Sequence, residues 1–229
     1  MTEPIIEQFK PSTINETARN LSGIALRLGE VTMDFKNIKR IPRYRDGERE
    51  SDVEHSFMLG LVACELADTL ELDLNSGLIS QFAYVHDLIE LKTGDVNTFN
   101  LTDEQLMRKQ FMEKQALHQL TTELPPFWAR MVERYEHQAE PEARFVKAVD
   151  KILPFVVDIL GDGVRIMQED NGIATRQQFL DCLASLQLSL SERFGNEFPE
   201  VIEAHQALGR IFSEKFPEQP EQDYLFDLP

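Results

Sequence analysis

Apolar residues recur at intervals of three and four along nearly the whole chain, and no segment alternates apolar with polar residues as a half-buried strand must. That period confines the chain to an all-α fold built from amphipathic helices. A first helix is predicted over about Thr13 to Leu28, opened by a capping box of Thr13 and Glu16, with Ala18, Leu21, Ala25 and Leu28 facing inward. Ser51 and Glu54 form a second box and start a helix to about Leu70; a third helix covers about Gly77 to Leu91, with Leu78, Phe82, Val85 and Ile89 as its buried stripe. Thr102 with Gln105 opens a helix to about Leu120, Pro125 and Pro126 precede a shorter one containing Trp128 and Tyr135, and Pro141 starts the helix that carries Asp150. Helices over about 175–194 and 197–212 follow. The segment KNIKRIPRYRDGERES, interrupted by Pro42 and Gly47, reads as an irregular loop.

With 229 residues, one domain spanning 1–229 is expected. Its core runs over about 20–160, its C-terminal helices over about 173–213, and an acidic, frayed tail over about 217–229, where Tyr224, Leu225 and Phe226 are candidate docking residues. The formal charge of −17 argues against an extended nucleic acid as partner, because such a surface repels a phosphate backbone. A small phosphorylated molecule needs only a local cationic pocket, and the arginines between Arg40 and Arg49 supply the one strongly basic stretch. Two cysteines, no signal-peptide pattern and no apolar run of spanning length predict a cytoplasmic protein without a membrane segment.

His86 and Asp87 lie in FAYVHDLIEL, and Asp150 lies in FVKAVDKILPFVV, so both acids sit among apolar neighbours. A buried carboxylate without a partner costs several kcal/mol, so each is expected to face a cation. Pro154 lacks the amide that would bond the Asp150 carbonyl, which predicts a helix irregularity beside that acid. Imidazole and carboxylate donors without thiolate suit one catalytic divalent transition metal: Mn, Co, Fe, Ni or Zn. Such an ion polarises phosphoryl groups and acidifies water, so hydrolysis is the natural reaction.

Glu54-His55, the HDxxE run from His86 to Glu90, Thr93-Gly94-Asp95 and VKAVDK at 146–151 together resemble the HD-domain phosphohydrolases, above all their 5′-deoxynucleotidase branch. The resemblance covers roughly Asn20 to Leu160. It implies a helical bundle with a metal held between helices by His55, His86, Asp87 and Asp150, and a catalytic acid at Glu90. It also implies a sugar-binding or catalytic role for Asp95, a phosphate clamp at Arg40 assisted by Arg43, and a homodimer. Four-residue spacing on a helix would set Glu90 on the same face as His86. Ile41 stands where some members carry tryptophan, which leaves sugar discrimination open.

The implied activity is hydrolysis of nucleoside 5′-monophosphates to nucleoside and phosphate. Alternatives are an HD-type triphosphate or alarmone hydrolase and a noncatalytic nucleotide-binding scaffold. His118, His137 and His205 read first as surface residues; His118 and His137 have the order that a second metal site would require.

Overall fold

A computed structural model describes residues 15–95 and 103–218. The proposed caps Thr13 and Thr102, the sequence between Asp95 and α5, and the tail residues Tyr224, Leu225 and Phe226 lie outside the described residues. The chain runs α1 (Glu16–Asn37), β1 (Lys39–Arg43), β2 (Arg49–Ser51), α2 (Asp52–Thr69), α3 (Ser76–Val85), α4 (Glu90–Thr93), α5 (Asp103–Glu123), α6 (Pro126–His137), α7 (Pro141–Asp150), α8 (Leu153–Leu160), α9 (Gly163–Asn171), α10 (Arg176–Phe194) and α11 (Pro199–Ser213). Helices dominate, as the apolar period requires.

Several boundaries follow directly from capping chemistry. Ser51 and Glu54 cap α2 reciprocally, Thr175 and Gln178 do the same for α10, and prolines open α6, α7 and α11. α1 departs from expectation: Asn15 caps it, accepting from the Ala18 amide at 2.8 Å, and the helix continues to Asn37. Leu21 is 63 % exposed, and Ala25 is exposed as well. The inward stripe instead lies further along, at Leu28, Val31 and Phe35, where the helix reaches α2.

The segment expected to be a loop is a short antiparallel ribbon, with Lys39 opposite Ser51, Arg43 opposite Arg49 and an irregularity between. Its turn is closed by hydrogen bonds from the Tyr44 amide to Glu48 O and from the Gly47 amide to Tyr44 O. Asp46 accepts from the Glu48 amide, and Gly47 sits at φ 86°, where a side chain would be strained. Pro42 is tolerated because a two-stranded ribbon is all edge. The ribbon packs on α8 and α9, and at Gly161 a Cβ would overlap the Arg43 carbonyl oxygen.

The larger core lies between α2, α3, α6 and α7, around Leu59, Phe82, Phe145 and Val149; a second cluster, including Phe155, Phe179 and Phe212, joins α8 to α10 and α11. Two interruptions matter for the site. The helix predicted over 77–91 ends at Val85, and His86 to Ile89 form a tighter turn in which amides bond three residues back, before α4 resumes. Beyond Asp150, Lys151 and Ile152 also bond three residues back and Pro154 opens α8, which is the irregularity expected there.

Candidate metal centre

Three elements deliver four donors to one point. His55 comes from the second turn of α2, His86 and Asp87 from the turn after α3, and Asp150 from the last residue of α7. One donor atom from each lies within 4.8 Å of the others. Opposite ligands of an ion with bonds of about 2.0–2.2 Å stand roughly 4 Å apart, so the cluster has the right size for a first-row metal.

The tautomers agree with this reading. His86 Nδ1 lies 2.8 Å from the Ala83 carbonyl, which can only accept, so that nitrogen carries the proton. His86 Nε2 is thereby the ring atom turned to the centre, buried and without a hydrogen-bond partner, 2.9 Å from Asp87 and 3.8 Å from Asp150 Oδ1; a bound ion would take its lone pair in place of a proton. An orphaned imidazole nitrogen facing two carboxylates is a site that a cation completes. His55 Nε2 lies 2.9 Å from Asp150 Oδ1. Burial opposes charge on His55, but Asp150 and Glu50 outweigh it and push the ring up to about 9, so metal binding must displace a proton there. Burial likewise opposes charge on Asp87, yet His86 and Arg40 hold its carboxyl well below the ordinary range.

Arg40 extends from β1 to Asp87, its Nη1 2.6 Å from Oδ2, and it also faces Asp52 and Glu50 at 3.5 Å each. Burial opposes its charge, and Asp87, Asp150, Asp95 and Glu90 more than restore it. Arg43 instead pairs with Asp170 on α9 at 3.9 Å, and Arg45 donates to the Leu160 carbonyl. Glu90 opens α4 and groups with Asp52 and Asp87, not with the two histidines, because the turn at 86–89 removes the continuous helical face assumed from spacing. Burial, then Asp87, Asp52 and Asp95, pushes the Glu90 carboxyl up to about 10. Asp95 lines the same cavity as Arg40 and Asp150.

Glu50 and Asp52 were not singled out from the sequence, since ERESD reads as a solvated charge run. Both are buried by the ribbon and by α2. Glu50 is 1 % exposed, with Oε2 3.4 Å from His55 Nδ1 and 3.5 Å from Arg40 Nε. This carboxylate therefore orients a metal-facing imidazole and the guanidinium together. Substituting Glu50→Gln is expected to weaken metal affinity by about 10–100-fold, measured by competition with a chromogenic chelator. An unchanged affinity would show that His55 needs no such support. Among the remaining histidines, His118 and His137 are exposed and belong to neither acid cluster, whereas His205, expected on the surface, is buried.

A family profile described as HD domain matches residues 33–179. Over 124 residues the chain is 36% identical to the 5′-deoxynucleotidase HDDC2 of Xenopus laevis, covering 50% of this chain and 59% of that protein. The human protein of the same name is 32% identical over 124 residues, covering 50% and 58%, and that of Bos taurus 31% over 144 residues, covering 58% and 64%. The chain thus spans about three fifths of the length of these relatives. A crystal structure described as a predicted metal-dependent phosphohydrolase from Magnetospirillum magnetotacticum shares the fold. Its TM-score is 0.66 at 21% identity, over 90% of this chain and 100% of that one.

Proposed function

Since this chain belongs to the HD domain family, we propose that it is a metal-dependent 5′-nucleotidase, releasing inorganic phosphate from nucleoside 5′-monophosphates, deoxyribonucleotides foremost. The observation that carries this reading is the convergence of four donors, His86 Nε2 without a hydrogen-bond partner among them, beside a half-buried arginine and a half-buried acid whose carboxyl is pushed up to about 10. The relatives named 5′-deoxynucleotidase support the same substrate class.

A divalent ion held by His55, His86, Asp87 and Asp150 supplies a Lewis acid for a phosphoryl oxygen and a means of acidifying water. The protein's own groups do the rest. Arg40 turns its planar donors from Asp87 to the phosphate, where two oxygens can be engaged at once. Glu90, a neutral acid at working pH, donates its proton to the departing ribose oxygen as the P–O5′ bond breaks and the bond from water to phosphorus forms; the proton released by water restores the acid. Asp95 is suited to a sugar hydroxyl, and Arg43 to a supporting role from the ribbon.

Phosphate release from deoxynucleoside monophosphates is expected with Mn or Co, with loss of activity in chelator and recovery on adding metal back, followed by phosphate assay. Phosphorus NMR identifies the product: a chain of two or three phosphates from a triphosphate would replace this reading with the other hydrolase class, and tight binding without turnover would leave a scaffold.

We also propose a cytoplasmic location, supported by two free cysteines and by the absence, among the described helices, of one long and apolar enough to cross a membrane. Self-association is supported by exposed Met33 on α1 and exposed Phe57 and Leu61 one turn apart on α2. Sedimentation is expected to give a dimer, and Phe57→Glu with Leu61→Glu a monomer.

A further inference from the structure

The cavity beside the metal centre extends past the groups that the reaction uses. It encloses about 220 Å³, and its lining passes from Arg40, Asp95 and Asp150 to side chains of α8, α9, α10 and α11. Asp158 lies on α8, beyond the break that follows Asp150, so the lining runs on from the metal donors across that break. A nucleotide seated with its phosphate at Arg40 would carry its base in this direction.

Two polar groups in that stretch are buried, and the proposed chemistry uses neither. Asp158 is 3 % exposed, its Oδ1 has no hydrogen-bond partner, and Gly163 packs against it so closely that a Cβ added at that glycine would overlap the aspartate. His205 is also 3 % exposed. Gln187 donates its Nε2 to the Ile202 carbonyl at 3.0 Å, which turns its Oε1 toward His205 Nδ1, also at 3.0 Å. His205 Nδ1 therefore carries the ring proton. Burial, with Lys151 nearby, pulls the imidazole down to about 4, so Nε2 keeps its lone pair at neutral pH. The two groups are thus both equipped to accept hydrogen bonds. Around them much of the wall is apolar, with Phe155, whose ring is 4.9 Å from that of His205, Ile166 and Leu190; Lys151 and Asn171 also line it.

We propose that this part of the cavity is a nucleobase subsite in which Asp158 and His205 accept from a base edge bearing adjacent N–H donors, guanine before any other. The inference rests on the nucleotidase reading for the direction in which the substrate lies. Guanine offers its ring N–H and its 2-amino group side by side, which matches a carboxylate. Thymine offers a single N–H between two carbonyls, which would face the same carboxylate oxygens without a donor. Burial, then Glu50, pushes Asp158 up to about 7, so its carboxyl is shared between neutral and charged forms; an edge of two N–H donors favours the charged form and gives Oδ1 the partner that it otherwise lacks.

The test compares kcat/KM for dGMP, dIMP and dTMP with the Mn-loaded protein. A preference of about tenfold or more for dGMP over dTMP is expected, with dIMP, which lacks the 2-amino group, between them. In Asp158→Asn the dGMP advantage should collapse while dTMP turnover stays within about threefold, which also serves as the check on folding. Equal kcat/KM for the three nucleotides in the unaltered protein, or equal losses for dGMP and dTMP in the variant, would overturn the subsite. If no monophosphate is hydrolysed, the nucleotidase reading fails by itself. Calorimetry of deoxyguanosine and thymidine with the same protein then decides the subsite: tighter deoxyguanosine supports it and equal affinity refutes it.

Discussion

Asp150→Asn is expected to leave a folded protein that holds no stoichiometric metal and releases phosphate at about one thousandth of the original rate or less. Asp150 Oδ1 is the atom on which the centre closes, 2.9 Å from His55 Nε2 and 3.8 Å from His86 Nε2. Burial opposes charge on this acid, yet Lys151, His55 and His86 hold its carboxyl well below the usual range, so it is an anion awaiting a cation. Asparagine keeps the shape and removes the charge. The remaining donors then include one carboxylate, and an ion that supplies several kcal/mol of transition-state stabilisation is lost; each 1.36 kcal/mol is a factor of ten. Metal content by mass spectrometry, read beside far-ultraviolet circular dichroism, separates loss of the ion from loss of the fold. Full metal occupancy in a folded variant would remove Asp150 from the centre.

Glu90→Gln is expected to do the opposite: keep the metal and lose the chemistry. Glu90 is not among the four converging donors, so metal affinity should change little. Removing a positioned proton donor costs about 10²–10⁴ in kcat. The pH profile supplies the sign. Because burial and neighbouring acids raise the Glu90 carboxyl to about 10, it is protonated below that value and competent as an acid; activity should fall as pH rises through its pKa. A bound cation lowers that pKa and a bound phosphate raises it, so the limb moves but keeps its direction. The glutamine variant should lack this alkaline limb. A profile unchanged in shape, with only a raised KM, would reassign Glu90 to binding.

The sequence made much of this legible, for reasons that can be located. Ser51 with Glu54, Thr175 with Gln178, and the prolines at 126 and 141 act through local chemistry, and each marks a helix start where expected. His86, Asp87 and Asp150 stood out because histidine and aspartate among apolar neighbours require an explanation, whereas His55 came only with the family resemblance. The ribbon did not stand out: strands of five and three residues are too short for alternation to register, and Pro42 and Gly47 argue for a loop on their own. α9 was missed between Gly163 and Asn171, although Gly172, left-handed at φ 67°, marks its end. Glu50, Asp52, Asp158 and His205 were invisible as site residues because their burial arises from tertiary packing, which turns a charge run and a polar helix face into the walls of a cavity. The continuous helix through His86 failed for a related reason. The turn at 86–89 brings two adjacent side chains into one donor cluster, which an unbroken helix would send about 100° apart.

Gly161 gives the ribbon a lasting constraint. Its missing side chain is the seat into which the Arg43 backbone drops, three residues along the same strand from Arg40. Bulk added there would lever the strand outward and draw the Arg40 guanidinium away from Asp87 and the donor cluster. If Arg40 holds the phosphate as proposed, grip on the substrate would be governed from a corner that the substrate never meets.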